Sequence, residues 1–296
     1  MKRVYRKAPT SQVQYARPVC GKTMPFTPRA FSLGKILKET FSLYWEHFVL
    51  FVSISALPNL ALLALQLGLA KLPILRPEAA GWLALLAGFG TSFASLFASS
   101  IATAATTVAV FDIYVDRSPD LWESYSRLSG KAFRVVYAAF LVQLIVGVGT
   151  LMCIVPGIYW GGVYGITIPA VVLENLTARQ ALSRSESLTR GSVGRIILSF
   201  FLTSILTGIM VAALKAGALA LGFNSSLYQG IPSKELLRLI TTTLGGILFG
   251  PISAIALTLE YFDQRVRKES FDIQQMKALL AAPEQLASGA YAGPID

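Results

Sequence analysis

The sequence predicts an all-α membrane protein: six transmembrane helices, three amphipathic helices on the cytoplasmic side, and a pseudo-threefold repeat of helix plus hairpin. Three observations predict it. Of the 296 residues, 54% are hydrophobic and 14% charged, whereas soluble domains average about 45–50% apolar and about 25% charged. Apolar runs near the ~20 residues that a crossing helix needs recur along the chain. Lys and Arg collect in alternate connecting segments, the asymmetry that orients helices in a bilayer.

Residues 1–31 read as a disordered basic cytoplasmic tail, interrupted by Pro9, Pro18, Pro25 and Pro28 and without an apolar period. Ser32 is placed to cap a helix in which Leu33, Ile36, Leu37, Phe41, Tyr44, Trp45 and Phe48 share one face. That is the pattern of a helix lying in the membrane interface, with Tyr44 and Trp45 at headgroup depth. The first span covers about 48–70 and contains Pro58; Lys71, Pro73, Arg76, Pro77 and Glu78 make an outer loop. The second span, about 82–113, exceeds what a bilayer requires and should tilt or project. Ser92, Ser95, Ser99 and Thr103 recur on one of its faces together with Gly88. Small hydroxylated residues at that spacing make either a helix-packing seam or a polar groove for a headgroup or solute.

Ser118-Pro119-Asp120 signals a second interfacial helix, with Ser as cap, Pro at the first helical position and Gly130 at its end. The third span, about 133–155, has Gln143 as its only strongly polar side chain beyond Arg134 at the inner end. Pro156-Gly157 then predicts a sharp uncharged turn on the outer side. The fourth span, 158–173, would have only 16 residues, about 24 Å against a ~30 Å hydrocarbon core. Thr177-Ala178-Arg179-Gln180 matches a capping box that opens a third interfacial helix, and Gly191 fits its C-terminal cap. The fifth span covers about 196–216. The sixth, about 239–262, contains Gly245, Gly246, Gly250 and Pro251. A short amphipathic piece at 273–280 and a flexible tail follow, so the domains are 1–31, 32–273 and 274–296.

Charge fixes the expected orientation. Nine of the 26 Lys and Arg precede Trp45. Arg117, Arg127, Lys131 and Arg134, then Arg179, Arg184, Arg190 and Arg195, then Arg265, Arg267, Lys268 and Lys277 bring the inner total to 21, against 5 on the outer side. Both termini are therefore expected in the cytoplasm. The order of interfacial helix, span, outer turn and span occurs three times, over roughly 32–113, 118–173 and 177–262. It is a repeat of polarity, with weak residue identity between units.

The sequence offers little chemistry. Its one histidine, His47, falls at the inner interface, and the two cysteines, Cys20 and Cys153, fall on opposite sides of the membrane, so no disulfide is expected. No metal spacing, phosphate-cradling glycine loop or nucleophilic triad is apparent, so no cofactor and no catalysis are expected. Scattered basic residues with no binding fold around them argue against nucleic acid. No cleavable leader is expected, since the first apolar run begins near Phe48. Ionisable side chains cluster at inner span ends. Arg184, Arg190, Arg265 and Arg267 are candidate contacts for the headgroups of anionic membrane lipids, or else partners in inter-helix ion pairs. No protein partner is readable.

Three stretches carry a resemblance: Ile154-Val155-Pro156-Gly157-Ile158-Tyr159, Pro169 to Glu174, and Ala181 to Gly191. With Phe31-Ser32-Leu33-Gly34-Lys35-Ile36-Leu37 before them and Tyr261-Phe262-Asp263-Gln264-Arg265-Val266-Arg267-Lys268 after, the chain resembles a bacterial membrane-protein family. The family is named for the membrane domain of glycerophosphoryl diester phosphodiesterase. The resemblance covers about 31–273 and implies a multi-pass protein of the bacterial inner membrane. Some members carry a cytoplasmic phosphodiesterase barrel after the membrane domain. Here 23 residues follow Ile273 and the barrel's histidines and carboxylates have no counterparts, so the family name implies no activity for this chain. Two functional expectations result: a non-catalytic structural, regulatory or scaffold protein, and a protein that handles a lipid or small solute along the hydroxyl face of the second span.

Overall fold

The computed structural model describes residues 33–70, 81–115, 117–220 and 233–269. The basic tail, the Ser32 cap, segments 71–80 and 221–232, and the expected helix at 273–280 lie outside the described residues. Ten helices follow in order: α1 (Leu33–Glu46), α2 (Phe48–Ala70), α3 (Gly81–Tyr114), α4 (Leu121–Ser126), α5 (Ala132–Met152), α6 (Ile154–Tyr164), α7 (Thr167–Glu174), α8 (Ala178–Thr189), α9 (Val193–Ala220) and α10 (Ser233–Glu269). There is no strand among the described residues. Six helical stretches are long and apolar enough to cross a membrane, α6 and α7 together forming one of them, Ile154–Glu174.

α3 and α10 form the centre. In each, 56% of the apolar window is buried, against 17% for α2 and α9. The hydroxyls of Thr107 and Thr258 meet between them at 3.1 Å, and α3 presents small, fully buried residues, Ala104, Ala105 and Ala109, to its neighbours. Small side chains let two helices approach closely, which supplies the packing that lipid, as apolar as the helices themselves, does not. The outward surface is greasy, with Leu60, Phe89, Phe133, Leu151 and Ile209 all exposed. Trp45 and Trp122 project from short helices, 63% and 71% exposed, as side chains at a headgroup boundary do.

Three of the spanning stretches carry a fault in the backbone, and each receives a hydroxyl from a short helix. Pro58 lies inside α2 and has no N–H for the carbonyl four residues back, that of Ile54. The Tyr125 hydroxyl of α4 donates to this carbonyl at 2.6 Å. Pro251 lies inside α10 and leaves the Ile247 carbonyl without its helical N–H; the Tyr44 hydroxyl of α1 donates to the adjacent Leu248 carbonyl at 2.5 Å. Between α6 and α7 the helix is interrupted, and the buried Ser185 hydroxyl of α8 donates to the Val163 carbonyl at 2.7 Å, with Thr189 at 3.3 Å. Backbone polar groups without water must find partners inside the protein, and at Pro58 the short helix supplies the partner directly, while at the other two faults it bonds a carbonyl close by.

The structure corrects four boundaries. The chain reverses at Cys153, which is extended (φ −168°, ψ 149°), and Pro156 and Gly157 belong to the first turn of α6. A helix's first N–H groups have no partner within the helix, so proline costs little there. Gly157 serves packing: a Cβ on it would lie 2.2 Å from Thr150 Oγ1 and 2.9 Å from the Thr150 backbone nitrogen. The fourth crossing is therefore not short; it runs Ile154–Glu174, 21 residues, with its break at Gly165–Ile166 where Pro169 withholds an N–H. α4 ends at Ser126, earlier than Gly130, which takes a left-handed φ of +79° beyond it. Asp120, not Ser118, caps α4, accepting from the Trp122 and Glu123 backbone nitrogens. The α8 boundaries stand as expected. Gln180 Oε1 accepts from both the Thr177 nitrogen and hydroxyl, and Gly191 has φ +84° just past the C-cap Arg190.

Candidate functional site: a polar groove midway along the spans

A groove of about 590 Å³ runs between α3 and α5. It is lined by apolar side chains, among them Phe89, Phe93, Phe140, Leu144 and Leu151, and by the polar Ser92, Ser95, Ser99 and Gln143. A second cavity of about 150 Å³ adjoins it and shares Leu96, Ser99 and Gln143. This smaller cavity reaches Ser100 and Thr103 on α3, and Tyr164, Gly165 and Thr167 at the α6–α7 interruption. Gln143 stands near the middle of α5, Ser99 near the middle of the Gly88–Tyr114 stretch, and the interruption near the middle of Ile154–Glu174. Non-helical backbone at such depth is tolerated where it is enclosed by protein or lines a cavity.

The hydroxyls are oriented by their own helix. Ser95 donates to the Ser92 carbonyl at 2.8 Å, Ser99 to Leu96 at 3.1 Å and Ser100 to Phe97 at 3.0 Å. Thr167 donates to the Tyr164 carbonyl at 2.7 Å, across the interruption. What these side chains present to the cavities is therefore oxygen lone pairs. Gln143 is exposed and makes no hydrogen bond among the described residues. Among the described residues, no charged side chain lines either cavity.

A second polar assembly sits where α7, α8 and α10 meet. Arg184 Nε donates to both Glu174 oxygens at 3.0 and 2.9 Å, and its Nη1 lies 2.5 Å from Glu269. Burial disfavours the charged Arg184, but the hydrogen bonds it donates to Glu269 and Glu174 outweigh that and hold the guanidinium above its ordinary value. The Tyr261 hydroxyl also donates to Glu174, at 2.5 Å. Arg265 reaches Glu269 at 3.2 Å and Glu174 at 3.8 Å. Arg267 and Arg195 converge on the buried Asp263 at 2.7 and 3.0 Å. At the end of α3, Arg127 bonds the buried Asp112 at 2.6 Å. Lys131 has a lowered pKa, from burial first and from the neighbouring Arg134 and Arg127 second.

The structure thus places all four residues of the expected hydroxyl face, Ser92, Ser95, Ser99 and Thr103, against the two cavities. The four candidate headgroup arginines are engaged with carboxylates. Arg184 and Arg265 share Glu174 and Glu269, Arg267 holds Asp263, and Arg190 lies 3.7 Å from Glu186 while remaining 80% exposed. Gln143, which lines both cavities, and Tyr164 and Thr167, which line the smaller one, were not expected at this site. The signal for the first was present, as a lone amide in an apolar span. Among the described residues, no three His, Cys, Asp or Glu side chains lie together as metal ligands.

Fold and groove together define a multi-pass α-helical membrane protein. Comparison with protein-family models, with curated proteins and with solved structures gives no match. The phosphodiesterase-associated membrane-domain resemblance therefore rests on the sequence motifs alone.

Proposed function

We propose that the protein is a non-catalytic, lipid-handling protein of a bacterial inner membrane, with both termini cytoplasmic, and that it seats one amphiphile in the groove between α3 and α5. One observation carries this reading. A mostly apolar cleft within the ~300–1,000 Å³ range of ligand pockets ends on polar groups midway along three spans, beside an interrupted helix. Interrupted helices at that depth are a recurring feature of substrate sites in membrane carriers. The lysine and arginine bias supports the orientation, and the motif resemblance supports the bacterial membrane. The reading needs neither cofactor nor nucleic acid.

The test is native mass spectrometry of the protein released from mild detergent. Wild type should retain one lipid, and Ser99→Phe, which fills the cavity, should release it while keeping its helical content. A bare wild type, or equal retention by Ser99→Phe, would reject the reading. A structural or scaffold role is the second reading. It is favoured by the arginines already matched to carboxylates, an arrangement that stiffens the bundle and leaves little charge for recognition.

A further inference from the structure

We propose that the occupant of the groove is an uncharged lipid with a hydroxyl head, that this head donates to the serine oxygens of α3, and that it accepts from the Gln143 amide. The inference rests on the lipid-handling reading and narrows it to a chemical class.

The argument begins with charge. A phosphate, carboxylate or ammonium placed midway along the spans would need a counter-ion, because an unpaired charge at that depth is costly. Among the described residues, neither cavity offers one. The described cations at the helix ends have other partners: Arg184 holds Glu174 and Glu269, Arg127 holds Asp112 and Glu123, Lys131 reaches the Val172 carbonyl, and Arg134 reaches Asn175.

Donor and acceptor matching narrows the head further. Ser95, Ser99 and Ser100 spend their protons on α3 carbonyls, and Thr167 spends its proton on Tyr164. A hydroxyl has one proton and two lone pairs, so these side chains can still accept but no longer donate. A head made only of acceptors, such as an ester or ether, could accept from Gln143 but would leave these four hydroxyl oxygens without a proton. A hydroxyl head brings the missing proton. Gln143 supplies the complementary half, with two N–H donors and a carbonyl that have no partner among the described residues. An unsatisfied polar group of this kind is costly in hydrocarbon, which favours an occupant able to use it.

Shape fixes the remainder. Phe89, Phe93 and Leu151 lining the groove are exposed toward the bilayer, so a hydrocarbon chain can enter sideways and keep its tail among side chains as apolar as itself. Phe93 and Phe140 stack edge-on with centroids 6.2 Å apart and bridge α3 to α5 over the seat.

The experiment uses three probes that share one diazirine-bearing alkyl chain and differ only at the head: the free alcohol, its methyl ether and its phosphate monoester. Each is crosslinked to the full-length protein in uncharged vesicles, and labelled peptides are mapped. The alcohol should label α3 and α5 peptides about fivefold more than the ether, the factor given by one net hydrogen bond of about 1 kcal/mol. It should exceed the phosphate by more. Ser99→Ala, and independently Ser95→Ala in case the first variant misfolds, should bring alcohol labelling down toward the ether's level, whereas Gln143→Leu, which removes a donor that both heads can use, should lower alcohol and ether alike. Equal labelling by alcohol and ether would overturn the donor argument, and strongest labelling by the phosphate would overturn the charge argument; both leave lipid handling standing. Absence of groove labelling by all three probes would overturn the lipid-handling reading itself.

Discussion

Substituting Tyr125 by Phe removes one oxygen and leaves the Ile54 carbonyl without a donor. Ile54 is fully buried, Pro58 has already removed the helical N–H that would bond its carbonyl, and the phenol sits at 2.6 Å. A buried acceptor left unsatisfied costs about 1–3 kcal/mol, whereas hydrogen bonds within bilayers average about 0.6 and reach about 1.7 kcal/mol. The lower figure applies when the unfolded-in-membrane helix satisfies the group by other means. Proline prevents that here, so Tyr125→Phe should cost about 1.5 kcal/mol, toward the upper end of the bilayer range. Pro58→Ala restores the N–H, so in that background the same change should cost about 0.5 kcal/mol, a coupling of about 1 kcal/mol in a double-mutant cycle. Reversible unfolding in mixed micelles measures all four proteins. Equal cost in both backgrounds would refute the idea that the tyrosine substitutes for the proline's missing proton. The bond also carries a pH signature. Burial raises the pKa of Tyr125 and of Tyr44 to about 12, from an ordinary value near 10. Between those values the folded protein keeps protons that the unfolded chain releases, so stability should fall as pH rises from about 10 to about 12. Tyr125→Phe should flatten part of that slope.

Two further predictions concern packing and charge. Gly157→Ala should destabilise by about 1–3 kcal/mol as an overpacked contact, because its Cβ would strike the Thr150 backbone; Gly161→Ala, with nothing within 4 Å, should be neutral or slightly stabilising in the same thermal unfolding measured by circular dichroism. Glu174→Gln keeps the shape but removes the charge that Arg184 and Tyr261 use, and should cost about 2 kcal/mol; Glu186→Gln, at the exposed 3.7 Å pair, should cost under about 0.5 kcal/mol, and equal effects would show that burial does not set the strength of these pairs.

Length and apolarity made the six crossings legible, because a bilayer imposes both on any helix that spans it. The hydroxyl stripe was legible too, since Ser92, Ser95, Ser99 and Thr103 follow the helical period of one element. The groove was not. It depends on how α5 is rotated against α3, and no single-helix pattern reports that angle, so Gln143 read only as an isolated polar residue. The turn was misplaced because Pro156 and Gly157 look alike whether they break a helix or begin one; what decides is the contact of Gly157 with Thr150 in the preceding helix. The arginines' partners were hidden for a similar reason. Glu174 and Arg265 are distant in sequence and meet only when α7 and α10 pack.

The phenol of Tyr44 finds its acceptor 204 residues later, at Leu248. During synthesis this phenol stays without its acceptor until α10 has emerged. A chain stopped before α10 would keep α1 joined to α3 through Glu39 and Tyr114, yet the tyrosine would have no Leu248 carbonyl to hold, so the two ends of the described chain are locked together only by the last helix to be made among them.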